Sequence, residues 1–241
     1  MANVVLSFSR VQTFQRCPWL YHLVFNEGWR AGPKAPAALG QSLHQALAAF
    51  LDESNSDHTL ERLLEIFDEV WVNEGFANPK ETFQMYAEGR KMLENFWALD
   101  SNRQTKVMFT EKEFKFDWKG IQVQGTLDRI DEKPGLGYEI VEYKTRGTHW
   151  TKERIEKDLQ MTFYWWGATE GLGLSPLSLK YYFLSNGESV EAQRDETHLQ
   201  ALKTIAEDVA GKIDRKEFIP DHSYCDRCEM GNRCSKYQGR K

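Results

Sequence analysis

Residues 121–144 read IQVQGTLDRIDEKPGLGYEIVEYK, and the period of this stretch decides the fold class. Its first eleven residues, IQVQGTLDRID, open with Ile121 and Val123 alternating with Gln122 and Gln124, the spacing of a strand with one buried face. DEKPGLG at 131–137 supplies turn residues, and YEIVEYKT at 138–145 resumes as another strand. On the upstream side, FTEKEFKFDW at 109–118 alternates in the same way, and only Lys119-Gly120 separates it from Ile121, which reads as a hairpin. Because strand side chains alternate, Glu142 and Lys144 share a face, and meander pairing brings Asp128 beside them.

The period changes on both sides of this sheet. KERIEKDLQMTFYWWGATEGLG at 152–173 reads as one helix with Leu159, Phe163 and Trp166 on its apolar face and glycines at its stop. LSLKYYFLSNGESVEAQ at 177–193 is a second hairpin turning at Asn186-Gly187, and ETHLQALKTIAEDVAGKID at 196–214 is a last helix. Near the start, SRVQTFQRC at 9–17 begins a helix, with Ser9 and Gln12 at capping-box spacing and Pro18 as a break before a further turn. RAGPKAPAALG at 30–40 reads as a connector, ALGQSLHQALAAFL at 38–51 places His44 mid-helix, and two more helices fill 58–100. The expectation is an α/β protein forming a single domain over 1–241. It comprises a mainly helical part at 1–105, a sheet with a crossover helix at 106–195, and a helix with a cysteine tail at 196–241.

Composition bounds the function. With 241 residues and 41% hydrophobic, the chain can bury a substantial core, and its net charge of -5 gives no global attraction to nucleic acid. A phosphate-binding protein of this balance needs a local basic groove or bound cations. No apolar run is long enough to span a bilayer and MANVVLSFSR lacks signal-peptide features, so a cytoplasmic location without membrane association is expected. Disulfides persist poorly there, which points the four cysteines toward metal or cluster ligation. Three of them crowd into CDRCEMGNRC at 225–234, and the fourth is Cys17, so a shared site would clasp two distant parts of the chain. Four thiolates suit zinc and an iron-sulfur cluster equally.

Two carboxylates as close as Asp128 and Glu142 repel, and a hard divalent cation such as Mg²⁺ or Mn²⁺ relieves that repulsion. Lys144 could then position or deprotonate an attacking water, or neutralise charge growing on a phosphate. An ordinary acidic and basic strand pair would give the same letters. Gln160 and Tyr164, four apart, share a helix face that could reach a nucleic-acid backbone or Lys144. His44, set among Leu and Ala, would ordinarily be a hydrogen-bonded core residue. In RGTHWTKER at 146–154, Trp150 with Arg146, His149, Lys152 and Arg154 could stack bases and hold phosphates of a single strand. The opposing reading has Trp150 anchoring its loop by packing on the sheet.

Taken together, GQSLH, GTLDRID, EIVEYKT and QMTFY, followed by C-x2-C-x5-C at the tail, resemble the RecB-type PD-(D/E)XK nucleases of the iron-sulfur branch. That branch includes the AddB nuclease domain, CRISPR adaptation nucleases and the nuclease part of eukaryotic Okazaki-fragment helicases. The match runs from Ser9 to Cys234, and the order of five motifs gives it specificity that none has alone. The resemblance implies a restriction-endonuclease-like mixed sheet flanked by helices, with an iron-sulfur tail. It implies that His44, Asp128, Glu142 and the backbone carbonyl of Tyr143 are metal ligands, that Lys144 is the catalytic lysine, and that Gln160 and Tyr164 lie near substrate. It also implies a 4Fe-4S cluster on Cys17, Cys225, Cys228 and Cys234. Leu127 stands where the family signature has proline, a change the RecB-type branch tolerates.

The function so implied is a Mg²⁺- or Mn²⁺-dependent deoxyribonuclease, an exonuclease on single-stranded DNA before an endonuclease, in repair, recombination or CRISPR spacer acquisition. Its partners would be DNA with a free end and a helicase or CRISPR integrase on a separate chain, since no Walker A pattern occurs. Two alternatives come from other classes: a noncatalytic iron-sulfur subunit that binds DNA ends, and a zinc-stapled assembly subunit.

Overall fold

Lys119 and Gly120 both adopt left-handed φ angles, 54° and 77°. Such a two-residue turn matches the twist of the strands it joins, here β2 (Lys106–Trp118) and β3 (Ile121–Lys133). The computed structural model that shows this describes residues 4–52, 54–147 and 150–238. Strand β3 pairs antiparallel with β4 (Gly137–Lys144), setting Arg129 opposite Val141 and Ile130 opposite Ile140. Strand β4 pairs parallel with β5 (Pro176–Phe183), with Glu142 opposite Tyr181, and β5 pairs antiparallel with β6 (Glu188–Glu191). A short β1 (Val5–Leu6) lies parallel to the start of β3. The sheet is therefore mixed.

The chain divides into two compact units, each discontinuous in sequence. The larger comprises Pro33–Phe114 and Thr126–Arg194. In it α3 (Ala35–Leu51), α4 (Leu60–Glu69) and α5 (Pro79–Asp100) share a core with Val141 and Tyr143 of β4. Leu39, Leu43, Leu47 and Phe50 recur at helical spacing along α3 and are all buried. Each such leucine contributes about 1.5–3 kcal/mol by leaving water. Gly89 lets α5 come close, since a Cβ there would sit 2.6 Å from the Phe67 ring and 2.9 Å from Leu39. This packing fixes α3, and hence His44, against the sheet.

The smaller unit comprises Met1–Gly32, Lys115–Gly125 and Asp195–Lys241. Helix α1 (Phe8–Arg16) and β1 pack on α8 (Glu196–Asp214), and α2 (Pro18–Tyr21) follows the break at Pro18. No helix among the described residues is long and apolar enough to cross a membrane.

Three local expectations are corrected. The first helix is capped by Ser7, whose hydroxyl accepts from the Arg10 amide at 3.3 Å, while Ser9 lies inside the first turn. Helix α3 begins at Ala35, inside the expected connector, because a proline in the first helical turn gives up an N–H that has no partner anyway. The helix expected over 152–173 is two helices, α6 (Lys152–Lys157) and α7 (Leu159–Trp166), followed by a π turn at Gly167–Gly171. Asp158 breaks it by taking an extended conformation and accepting the Gln160 amide at 2.7 Å, which makes it the cap of α7. Of the expected apolar stripe, Phe163 and Trp166 are buried and Leu159 only half-buried.

Candidate active site

The β3–β4 register brings Asp128 beside the backbone of Tyr143, whose amide donates to Asp128 Oδ2 at 2.8 Å. From α3, His44 Nδ1 approaches Asp128 Oδ1 at 3.4 Å. On β4, two residues apart and on one face, Lys144 Nζ donates to Glu142 Oε1 at 2.8 Å. The cap at Asp158 aims α7 so that Gln160 reaches both: its Oε1 accepts from Lys144 Nζ at 2.7 Å and its Nε2 donates to Glu142 Oε1 at 2.7 Å. Gln160 Nε2 also donates to the Tyr164 hydroxyl at 2.9 Å, one helical turn on. His44, Asp128, Glu142, Lys144, Gln160 and Tyr164 thus form one constellation.

The satisfied oxygen of Glu142 is Oε1; Oε2 is buried with no hydrogen-bond partner. An orphaned buried acceptor costs on the order of 1–3 kcal/mol, and more when charged. Burial, followed by the charge of Asp128, pushes the Glu142 carboxyl up to about 8 against the pull of Lys144. Burial alone would lower His44, but contact with Asp128 and the charges of Asp128, Glu142 and Glu111 reverse this and raise it to about 9. Asp128 is held below its ordinary value despite its burial, chiefly by His44. Protons therefore balance the carboxylates here in the absence of a cation, and the orphaned Oε2 fits a site that a divalent ion completes.

One member was not foreseen. Glu111 of β2 offers an oxygen that lies, with ligand atoms of His44 and Asp128, in a group whose members are all within 4.8 Å of one another. Its letters, within FTEKEF, carry no signal that separates it from the neighbouring charges.

A model of the PD-(D/E)XK nuclease superfamily matches residues 5–235. The chain belongs to this superfamily. Its members use divalent metals, in keeping with the acidic site. Leu127 of this superfamily member is fully buried in β3, so the position that carries the signature proline serves the core here. Among solved structures, a Eubacterium rectale protein to which an exonuclease function has been ascribed aligns with a TM-score of 0.58 at 11% identity, over 98% of this chain and 90% of that one. That likeness is one of fold. SSO0001 aligns with a TM-score of 0.40 at 14% identity, over 83% of this chain and 86% of that one. No curated protein matches the sequence.

Next to this constellation, the basic loop is arranged unevenly. The Trp150 ring packs 4.7 Å from Tyr181 and 6.2 Å from Phe183, so it rests on the sheet. Lys144 Nζ lies 5.1 Å from its centroid, and the Arg154 guanidinium lies 4.4 Å from it. Arg146 turns to α5 and donates to Glu88 at 2.8 Å, Lys152 is exposed, and His149 lies outside the described residues.

In the smaller unit, Cys17, Cys225, Cys228 and Cys234 are free thiols that line one cavity of about 20 Å³. Cys17 Sγ accepts the amides of Leu20 and Asp221, both at 3.4 Å. Burial first, then the charges of Glu229, Cys17 and Cys234, push the Cys228 thiol up against a backbone hydrogen bond. Among the described residues, a group with its ligand atoms all within 4.8 Å of one another is formed by His44, Glu111 and Asp128.

Proposed function

We propose that the chain is a metal-dependent deoxyribonuclease that hydrolyses phosphodiester bonds, acting on single-stranded DNA from a free end. The observation that carries this reading is the Glu142–Lys144–Gln160 triangle beside Asp128, with one carboxylate oxygen of Glu142 left without a donor. Such an arrangement has no use in a passive DNA clamp.

His44, Asp128, Glu142 and the Tyr143 carbonyl would hold Mg²⁺ or Mn²⁺. When bound, the ion supplies Lewis acidity to the phosphoryl oxygen and makes a nearby water more acidic. Lys144 orients that water and donates to the phosphate as its charge grows, and Gln160 fixes the amine in the direction this requires. Burial holds the Tyr164 hydroxyl well above its usual value, so it keeps its proton and remains a donor to the substrate backbone. Arg146, Lys152 and Arg154 would flank the strand as it enters, with Trp150 as a wall behind Lys144.

Cys17, Cys225, Cys228 and Cys234 would carry a 4Fe-4S cluster that staples the tail to α2. Four thiolates suit zinc or a cluster by ligand type, and the order and spacing of the cysteines, which resemble those of the iron-sulfur branch, favour the cluster. The biological setting would be DNA repair, recombination or CRISPR spacer acquisition in the cytoplasm, with a helicase or integrase as partner.

Incubation of the anaerobically purified protein with end-labelled single- and double-stranded DNA, with and without Mg²⁺ or Mn²⁺, tests this reading. Metal-dependent release of label as short products from single strands is expected. Binding without cleavage under every metal condition contradicts it.

A further inference from the structure

We propose that Glu111 is a direct ligand of the active-site divalent ion, a third carboxylate beside Asp128 and Glu142; this rests on the nuclease reading of the same site. Three non-glycine residues among those described have left-handed φ angles. Lys119 sits in the hairpin turn and Lys216 just beyond α8, but Glu111, at φ 45°, lies inside strand β2. Left-handed backbone is unfavourable for a residue with a Cβ, and within a strand it interrupts the alternation of faces.

The consequence is visible in its neighbour. Thr110 donates to the Ala48 carbonyl of α3 at 3.2 Å, and the Glu111 carboxylate reaches His44, one turn earlier on the same helix. Consecutive strand residues point to opposite faces. Both can address α3 only because the backbone inverts between them. Glu111 is an exposed residue that needs no such conformation for solubility, yet the inversion delivers its oxygen to His44 and Asp128.

The second observation is independent of Glu111. Glu142 is buried, its Oε2 has no donor, and it is near enough to Asp128 for each to perturb the other. An ion held at about 2.0–2.2 Å from oxygen and nitrogen ligands spans about 4.0–4.4 Å between opposite ones. The ligand atoms of His44, Glu111 and Asp128 all lie within 4.8 Å of one another, with His44 Nδ1 3.4 Å from Asp128 Oδ1, so one ion can reach all three. Glu111 approaches from β2, whereas the other two carboxylates come from β3 and β4, so it supplies the ion with a ligand from a third strand.

The test is Mn²⁺ binding to the full-length protein without DNA, followed by electron paramagnetic resonance, with Mn²⁺-induced shifts in melting temperature as a second readout. Glu111→Gln should weaken Mn²⁺ binding at least tenfold and shrink the Mn²⁺-induced thermal shift, while metal-free melting stays at or above that of the unsubstituted protein. Glu111→Asp should fall between the two. Asp128→Asn serves as the reference. If Asp128→Asn loses Mn²⁺ and Glu111→Gln binds it as tightly as the unsubstituted protein, the Glu111 assignment is overturned and the nuclease reading stands. If the unsubstituted protein binds no Mn²⁺, both are overturned.

Discussion

Lys144 Nζ and Gln160 Oε1 are 2.7 Å apart, so an amide on α7 orients the amine on β4. The same amide donates to Glu142 Oε1, which leaves Lys144 little freedom to turn. Gln160→Ala should therefore reduce kcat by roughly 10- to 100-fold with little change in DNA affinity. Single-turnover cleavage beside equilibrium DNA binding checks this; an equal loss in both would make Gln160 a substrate-binding group instead.

Trp150 lies between two roles that kinetics can separate. Its packing on Tyr181 and its closeness to Lys144 make it a wall that holds the amine. Trp150→Ala should lower kcat about tenfold and stability by about 0.5–1.5 kcal/mol, the range of an aromatic pair. Affinity for single strands should change less than threefold. A loss of about 1–3 kcal/mol in binding with kcat unchanged would mean that the ring stacks on a base.

Metal affinity should depend on pH with a definite sign. His44, raised to about 9, and Glu142, raised to about 8, both hold protons at neutral pH in the metal-free protein. A cation binds their deprotonated forms, so binding releases protons and affinity rises as pH increases toward 9, then levels off. Calorimetric titration with Mg²⁺ in buffers of different ionisation enthalpy measures the protons released. PH-independent affinity between 6 and 9 would contradict this electrostatic account.

Cys17→Ser tests the cysteine site. Cys17 caps the start of α2 and its partners lie in the tail, so losing one ligand opens a loop of more than two hundred residues. Iron content and visible absorbance should fall together with the melting temperature. Retention of all three would separate Cys17 from the other cysteines.

The sheet and the grouping of its polar side chains were legible because they are encoded locally. Lys119-Gly120 allows the twisted turn, and alternation puts Glu142 and Lys144 on one face. Helical spacing likewise paired Gln160 with Tyr164. Other features depend on competition between neighbours. Asp158 could continue a helix or cap the next one, and its bond to the Gln160 amide decides for the cap. Ser7 and Ser9 compete for one cap, and backbone geometry selects Ser7. Glu111 was illegible for a different reason: its role depends on an inverted φ angle within a strand, which no periodicity records.

The most direct test of the account is the fate of Lys144. Lys144→Ala removes the amine that addresses the reacting phosphate but none of the groups assigned to hold the ion or the cysteine cofactor. Single-turnover cleavage of end-labelled single-stranded DNA with saturating Mn²⁺ should fall roughly 10²- to 10³-fold, with Mn²⁺ affinity, iron content and DNA affinity retained. Cleavage at the rate of the unsubstituted protein, under conditions where chemistry limits that rate, would contradict the assignment of this strand as the catalytic one.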